Sequence, residues 1–364
     1  MMICCNKCFY DAELKPIIES LGQIGNCPIC GNTNVYIYDT NNNSNLAGFF
    51  DDLISIYTSA QNLPTEFPKA ETKLLKDELL TNWNIFNKLS PTDVYKIITE
   101  ICSEKYQQTP ELFDQPVGIA ELYNPEYLNE HSLLRTNSWE YFVNALKTKN
   151  RFHTKYINLD ILERFCSYIR KPYKRGNAFY RGRISSSTGR CINDMGAPPH
   201  EKASAGRANA LGIRCLYLAS DVDTTIHEVR AGAFDYISVG TFELQEDIIV
   251  LDLKSIDKIS PFIDDLDCKQ HAINKEHLKK MNSEMGKALR RSDSALDYVP
   301  TQYISDFIKS IEHDGQAEYA GLEYNSTMNP DGFNLAIFNV DLFKCIDVKT
   351  FMIKELRYSK KEVE

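Results

Sequence analysis

The chain has 364 residues, which exceeds a usual single domain and leaves room for two or three cores. Its formal net charge of −9 argues against a surface built throughout to bind nucleic acid, so an anionic ligand would be held by a few placed arginines. The sequence shows neither a secretory start nor an apolar run of membrane-spanning length, and its eleven cysteines are scattered; we therefore expect a cytoplasmic protein with reduced thiols and no membrane association.

Two cysteine pairs near the start of the chain share a metal-binding spacing. Cys5 and Cys8 are followed, 18 residues later, by Cys27 and Cys30, which gives C-x2-C-x18-C-x2-C. This spacing predicts a closed four-thiolate Zn²⁺ site that is structural rather than catalytic. Cys4 adjoins Cys5, but only Cys5 has the two-residue knuckle spacing. We interpret residues 1–45 as a zinc ribbon, which leaves a nucleic-acid contact through the ribbon open.

Helical patterning follows the ribbon. Segments such as GFFDDLISIYTSAQNL and ETKLLKDELLTNWNIFNKL carry apolar residues at steps of three and four. Ser90 is a predicted N-cap, with Pro91 in the first turn and Asp93 at the third position. The pattern lasts until Pro172 and Gly176. It predicts an all-helical domain over residues 46–175.

The periodicity changes after this break. Short segments rich in aromatic and β-branched residues are separated by turns or helical stretches: NAFYRGRI, IRCLYLA, YISVGTFEL, IIVLDLK, AGLEYN and FNLAIFN. They predict a mixed α/β domain over residues 176–364. The whole chain is accordingly predicted to be an α+β protein with a zinc ribbon, a helical middle and a mixed C-terminal domain.

One stretch of this domain brings polar groups together. Arg207 and Asn209 lie in a glycine-flanked loop, Tyr217 lies on the strand that follows, and Glu228 lies on the next predicted helix, with Ser220 as the expected N-cap. A strand, loop and helix of this kind can seat a phosphate-bearing ligand. The glycine pattern is neither the Rossmann nor the P-loop signature.

Several motifs occur in an order typical of one family: FYRGR at 179–183, MGAPP at 195–199, AGRANALG at 205–212, CLYLA at 215–219, YVPTQYISDFIK at 298–309, GLEYNST at 321–327 and GFNLAIFN at 332–339. The chain resembles the RES-domain family of NAD-consuming toxins, whose fold is similar to that of diphtheria-toxin-type ADP-ribosyltransferases. The resemblance covers roughly residues 179 to 340. Ala208 follows Arg207 where many shorter members have Trp, which suggests a longer subfamily.

The resemblance implies a functional set of Arg207, Tyr217, Glu228 and Ser326, with NAD as the substrate. Glu228 would stabilise positive charge developing on the ribose, and Arg207 would hold pyrophosphate or ribose oxygens. Tyr217 would offer a flat face to nicotinamide or ribose, and Ser326 would bind the carboxamide or position Glu228. We also predict NAD contacts from Arg181 and Arg183, on one face of a strand, and from Asn209, although a turn role explains Asn209 nearly as well.

The resemblance further implies an NAD glycohydrolase that acts as a bacterial toxin or antiviral effector, restrained by an antitoxin commonly of the Xre type. Transfer of ADP-ribose to a macromolecule is the alternative reaction, and a non-catalytic zinc-ribbon protein that binds nucleic acid is the rival class. The helical region resembles an extension sometimes called HEPN-like, but the chain has no Arg followed four to six residues later by His, so we expect no RNase activity. The sequence leaves a homo-oligomer open.

Overall fold

A computed structural model describes residues 2–287 and 294–356. The chain forms two compact units: Met1–Thr136 with Lys258–Lys275, and Asn137–Asp257 with Glu276–Glu364. The division into domains at 1–45, 46–175 and 176–364 stays a prediction. Over the described ranges, helices that combine the length and the apolar character needed to cross a membrane are absent.

The first unit combines short strands with helices. Its strands are β1 (Ile3–Cys5), β2 (Ile24–Gly25), β3 (Val35–Asp39), β4 (Thr58–Ser59), β5 (Lys73–Leu74) and β6 (Pro116–Gly118). Its helices are α1 (Leu14–Ser20), α2 (Ala47–Ile54), α3 (Leu75–Thr81), α4 (Pro91–Ile101), α5 (Ser103–Gln108), α6 (Glu111–Asp114) and α7 (Pro125–His131). Two antiparallel sheets have the orders β1-β3-β2 and β4-β6-β5.

The prediction of an all-helical middle region is wrong, because β4, β5 and β6 form a sheet within it. Strands of two or three residues are too short to show a two-residue alternation in the sequence, so the surrounding helical pattern concealed them. The predicted start of α4 is confirmed: the Ser90 side chain accepts a hydrogen bond from the Asp93 backbone N–H.

One aromatic core holds the first unit together. Phe50 packs on Phe86 with ring centroids 6.2 Å apart and on Phe262 at 5.1 Å, while Phe9 lies 5.4 Å from Phe86. The cysteines of the N-terminal pairs belong to the same buried cluster. The ribbon therefore shares its core with the helices that follow it.

The second unit is built on a large sheet. Its strands are β7 (Arg170–Tyr173), β8 (Ala178–Ser185), β9 (Leu216–Ala219), β10 (Tyr236–Leu244), β11 (Ile248–Asp252), β12 (Glu312–His313), β13 (Gln316–Ala317), β14 (Gly321–Asn325), β15 (Phe333–Ile337) and β16 (Phe343–Met352). Its helices are α8 (Trp139–Thr148), α9 (Leu159–Ser167), α10 (Val222–Glu228), α11 (Cys268–Gly286) and α12 (Val299–Ser310), and the unit boundary falls within α11.

The eight strands of this sheet have the order β16-β10-β8-β9-β15-β14-β11-β7. β11 and β14 are parallel, whereas the other neighbouring strands are antiparallel. Phe179, Leu218 and Leu335 point into a buried apolar cluster on one face. Because successive side chains of a strand alternate, their neighbours Tyr180, Ala219 and Asn334 belong to the opposite face.

Three neighbouring strand pairs align these residues in one row. Tyr180 pairs with Ala219, Ala219 with Asn334, and Asn334 with Tyr324. Within the described chain the Tyr180–Ala219 pair is the single ladder pair between β8 and β9. The sheet is therefore weakly joined at this point, and the polar groups of the row lie next to the gap.

Candidate active site and metal centre

Helix α10 starts directly after β9 and carries Glu228 in its last turn. Its N-cap is Asp221, whose side chain accepts from the Thr224 backbone N–H at 2.7 Å. The predicted cap, Ser220, lies one residue too early and instead donates to the Asp221 carboxylate at 2.6 Å. Burial alone would raise the pKa of Asp221, but the hydrogen bonds from Ser220 and Thr224 outweigh it and lower that pKa.

Two glycines let α10 lie close to the sheet. A Cβ on Gly182 would lie 2.6 Å from Thr225 Cγ2, and a Cβ on Gly332 would lie 1.9 Å from Thr224 Oγ1. Thr224 and Thr225 are buried. Any larger residue at either glycine would push the helix outward, so these contacts fix the position of Glu228 relative to the strands.

Glu228 is exposed to solvent on one side and held by two buried side chains on the other. Ser326 Oγ donates to Glu228 Oε1 at 2.6 Å, and Asn334 Nδ2 donates to the same oxygen at 2.8 Å. Both donors are neutral side chains, and together they fix the orientation of the carboxylate. The predicted pairing of Ser326 with Glu228 is thus present in the structure.

A cleft of about 250 Å³ opens beside Glu228, where β8 and β9 separate. Its walls come from β8, β9, α10, β14 and β15: Tyr180, Arg181, Gly182, Tyr217, Leu218, Ala219, Thr225, Glu228, Val229, Tyr324 and Asn334. Three tyrosines and one carboxylate therefore line a single concave space. This volume is below the roughly 300–1,000 Å³ typical of sites for drug-sized ligands, so the cleft has room for a small chemical group.

The Tyr217 hydroxyl is bonded into the preceding loop. It donates to Asn209 Oδ1 at 2.6 Å and accepts from the Ala208 backbone N–H at 3.0 Å. The Asn209 amide nitrogen donates to three loop carbonyls, those of Ser204, Ala210 and Ile213. These hydrogen bonds show that Asn209 holds the loop together. Because the hydroxyl of Tyr217 is bonded to the same loop, its ring is the part available to the cleft.

Arg207 lies beside the cleft rather than in its wall. Its guanidinium carbon is 5.4 Å from the centre of the Tyr324 ring, on which it stacks. It also donates to the backbone carbonyls of Met285 and Lys287, at the end of α11. Tyr324 thus separates Arg207 from the carboxylate of Glu228, and both charges act on the Tyr324 phenol.

The two strand arginines differ in their positions. Arg181 is part of the cleft wall and its Nη1 donates to the Tyr217 carbonyl at 3.4 Å, whereas Arg183 donates to the Gly196 carbonyl at 2.7 Å. Burial, with a smaller contribution from Arg183, lowers the pKa of Arg181 to about 10, so it remains charged at neutral pH. Of the pair, Arg181 is the one placed to meet a ligand in the cleft.

Burial raises the pKa of both cleft phenols, Tyr217 and Tyr324. For Tyr324, Arg207 opposes this shift and Glu228 adds to it. The hydroxyls of Tyr217 and Tyr324 therefore stay protonated at neutral pH.

Sequence reasoning missed three residues of this site. Asn334 and Tyr324 lie in the motifs GFNLAIFN and GLEYNST, but nothing in the sequence shows that they are paired across two strands. Gln302 donates to the carbonyls of Gly206 and Asn209 and so holds the arginine loop. The alternation of apolar Phe333 and Leu335 around a polar Asn334 was the one available signal for its orientation.

The N-terminal cysteines form a second centre. The sulfurs of Cys5, Cys8, Cys27 and Cys30 all lie within 4.8 Å of one another. The Cys5 sulfur lies 3.8 Å from that of Cys8 and 3.4 Å from that of Cys30, and the Cys8 sulfur lies 3.6 Å from that of Cys27. Zn–S bonds of about 2.3 Å require sulfur separations of about 3.8 Å in a tetrahedron, so the four thiols fit Zn²⁺. Cys4, on the adjacent strand position, lies outside this group, as the knuckle spacing predicts.

Fold and site together define a mixed α+β protein with a four-cysteine metal centre and a tyrosine-lined carboxylate cleft. Residues 180–359 match the family model described as RES domain, and this part of the chain belongs to the RES-domain family. A RES domain is consistent with an NAD-related activity. Neither the curated proteins nor the solved structures contain a match to the chain. The longer subfamily and its HEPN-like extension stay predictions.

Proposed function

We propose that the protein cleaves the nicotinamide–ribose bond of NAD with water, giving nicotinamide, ADP-ribose and a proton. The observation that carries this proposal is the carboxylate of Glu228, which is oriented by Ser326 and Asn334 and faces a cleft walled by Tyr217 and Tyr324. A fixed anion beside an aromatic slot is suited to a substrate with a flat cationic ring on a sugar.

The chemistry follows from the charge that develops as the bond breaks. The departing nicotinamide takes the bonding electron pair and becomes neutral, while the ribose becomes oxocarbenium-like and carries the positive charge. Glu228 Oε1 accepts from two protein donors, which directs Oε2 toward the substrate. There the carboxylate stabilises the cationic sugar of the transition state more strongly than it stabilises bound NAD, and this difference lowers the barrier to cleavage.

Nicotinamide release from NAD by the intact protein tests the proposal. We expect Glu228→Gln to reduce kcat by roughly 10²- to 10³-fold, about 3 to 4 kcal/mol, because the charge is lost while the shape is kept. Asp223→Asn is the matched control, since Asp223 is an exposed carboxylate on the same helix and is not part of the cleft wall. Undiminished release by Glu228→Gln would contradict the proposal.

Water and a macromolecular nucleophile are distinguished by the product. Free ADP-ribose in proportion to nicotinamide supports hydrolysis, whereas ADP-ribose bound covalently to protein or nucleic acid supports the alternative, ADP-ribosyl transfer. Absence of turnover together with salt-sensitive RNA or DNA binding would instead favour the non-catalytic binding protein.

In cells we propose the role of a toxin or antiviral effector whose partner is an antitoxin. Induction in a bacterial host should lower cellular NAD and stop growth, and Glu228→Gln should abolish both effects. Arrested growth at constant NAD would favour modification of a target instead.

A further inference from the structure

A second cavity, of about 380 Å³, has Arg207 in its wall. We name it the α8 cavity, and its walls come from α8, the end of α11, the start of α12 and Arg207. Arg207 belongs to the wall of this cavity, and Tyr324, on which Arg207 stacks, belongs to the wall of the cleft. The contact between Arg207 and Tyr324 therefore connects the walls of the two spaces.

The charge of the α8 cavity contrasts with that of the chain. Among the described residues, four cationic side chains line it against three acidic ones, a local excess of one positive charge in a protein of net charge −9: Lys147, Arg207, Lys280 and Lys287 against Glu140, Glu284 and Asp297. Val143, Tyr298 and Pro300 add an apolar wall. This combination suits a planar base joined to phosphate groups.

We infer that the α8 cavity binds the adenosine diphosphate part of NAD while the nicotinamide riboside part occupies the cleft. This inference rests on the proposed function. A cleft of about 250 Å³ leaves the rest of the dinucleotide outside it. The bound carbonyls of Met285 and Lys287 use two of the five N–H groups of Arg207, so its fork retains donors for phosphate oxygens at the boundary.

Helix α8 precedes the RES domain in the chain, so this part of the site is supplied by the segment that sequence reasoning assigned to a separate middle domain. Glu140, Val143 and Lys147 face the cavity from successive turns of α8. Lys147 is anchored to Asp297 at 2.6 Å, which ties α8 to the segment before α12. The substrate site is accordingly larger than the RES domain alone.

Two charge inversions of opposite sign test this binding site. Glu140 is 74% exposed and Lys280 is 42% exposed, so both substitutions are compatible with folding. Exposed charge interactions contribute about 0.2–1 kcal/mol, which corresponds to changes of up to about fivefold. For ADP, measured by calorimetry on the intact protein at low salt, we expect Glu140→Lys to lower Kd about two- to fivefold and Lys280→Glu to raise it by a similar factor.

Lys149→Glu is the matched control, because Lys149 is exposed, lies directly after α8 and is not part of the cavity wall. It should leave the Kd of ADP unchanged. Opposite shifts for the two test variants support the inference, since mere destabilisation would weaken binding in both. Equal Kd values in all variants, or no ADP binding by a protein that cleaves NAD, would overturn it. Failure of the intact protein to cleave NAD would overturn the proposed function itself.

Discussion

Both side chains that orient Glu228 donate to the same oxygen, Oε1, and one of them, Asn334, was not expected from the sequence. Asn334 is only 6% exposed and lies in the cleft wall. We assign it a positioning role, in which its amide turns the other carboxylate oxygen toward the substrate. A hydrogen bond to a charged group contributes about 1.5–3 kcal/mol.

We therefore predict that Asn334→Ala lowers kcat for nicotinamide release by roughly 10- to 100-fold, with a smaller change in KM. Asn334→Asp should also shift the acid limb of the kcat–pH profile to higher pH, because a second carboxylate next to Glu228 disfavours ionisation of the pair. Asn325→Ala is the control, since Asn325 is exposed on the neighbouring strand and lies outside the cleft wall. An unshifted profile in Asn334→Asp would argue for a purely structural asparagine.

At this scale the sequence predicted which residues lie near one another better than it predicted their hydrogen-bond partners. The structure places Tyr217 and Glu228 in one cleft wall, with Ser326 bonded to Glu228 and Arg207 stacked on the Tyr324 ring. It also shows that Asn209 serves the loop, which residue type and order alone left undecided. Hydrogen-bond partners 98 and 106 residues apart along the chain, as for Glu228, depend on strand pairing, and local pattern carries no information about that pairing.

At the scale of elements, the close packing of α10 on the sheet can be changed to test how precisely the Glu228 carboxylate must be positioned. Gly182→Ala would place a Cβ 2.6 Å from Thr225 Cγ2, so the helix must move away from β8. Overpacking of this kind costs about 1–3 kcal/mol. Expressed as free energies, we predict that the loss in the rate of nicotinamide release exceeds the loss of stability measured by thermal unfolding. The reason is that the shift of the helix separates Glu228 from Ser326 and Asn334.

The double variant Gly182→Ala with Thr225→Ser supplies the rescue. It removes the clashing methyl group and keeps the hydroxyl that donates to the Asp221 carbonyl at 3.0 Å. We expect it to recover much of the activity. Gly196→Ala is the neutral control, since a Cβ there would meet nothing within 4 Å. Full activity in Gly182→Ala alone would show that α10 tolerates displacement.

Elements were predictable where a strong local pattern existed. The cap of α4 at Ser90 and the strands around Tyr180, Tyr217 and Asn334 match expectation, because hydroxyl caps and aromatic alternation are local signals. The N-cap of α10 is Asp221 rather than the predicted Ser220. Both residue types can cap a helix, and here the Thr224 backbone N–H donates to Asp221 while Ser220 also donates to Asp221.

At the scale of the whole molecule, the metal centre belongs to the core of the first unit. Cys5, Cys8 and Cys27 are buried in the same cluster as Phe86 and Phe262. The Asn87 backbone N–H also donates to the Cys8 carbonyl at 2.8 Å. Metal loss should therefore destabilise more than the first 45 residues.

We predict that chelation, or Cys27→Ser, abolishes cooperative unfolding of the first unit, measured by hydrogen exchange of Phe86 and its neighbours. The eight-stranded sheet should keep its protection, since no member of the cysteine group belongs to it. Cys191→Ser is the control because Cys191 is exposed and is not a member of the group. Immediate loss of NAD cleavage with both units still protected would contradict a structural metal.

The sequence did not predict which segments of the chain make up the first unit. Lys258–Lys275 belongs to it although this segment follows β11 in the chain. Within the unit, His271 packs edge-on against Trp83 at 5.3 Å, a contact between residues far apart in sequence. When a later segment packs into an earlier core, the local sequence pattern does not show it. A division of the chain into consecutive domains therefore cannot include such a segment in the right unit.

Among the described residues, β8 and β9 share one ladder pair, Tyr180–Ala219, so the large sheet consists of two plates that meet at this pair. One plate, β16-β10-β8, is three strands wide, and the other, from β9 to β7, is five strands wide. Helix α10 spans this junction, because it packs on Gly182 of the narrower plate and on Gly332, which directly precedes β15 of the wider plate. The helix therefore ties the two plates together beside the cleft and keeps Glu228 in contact with Asn334.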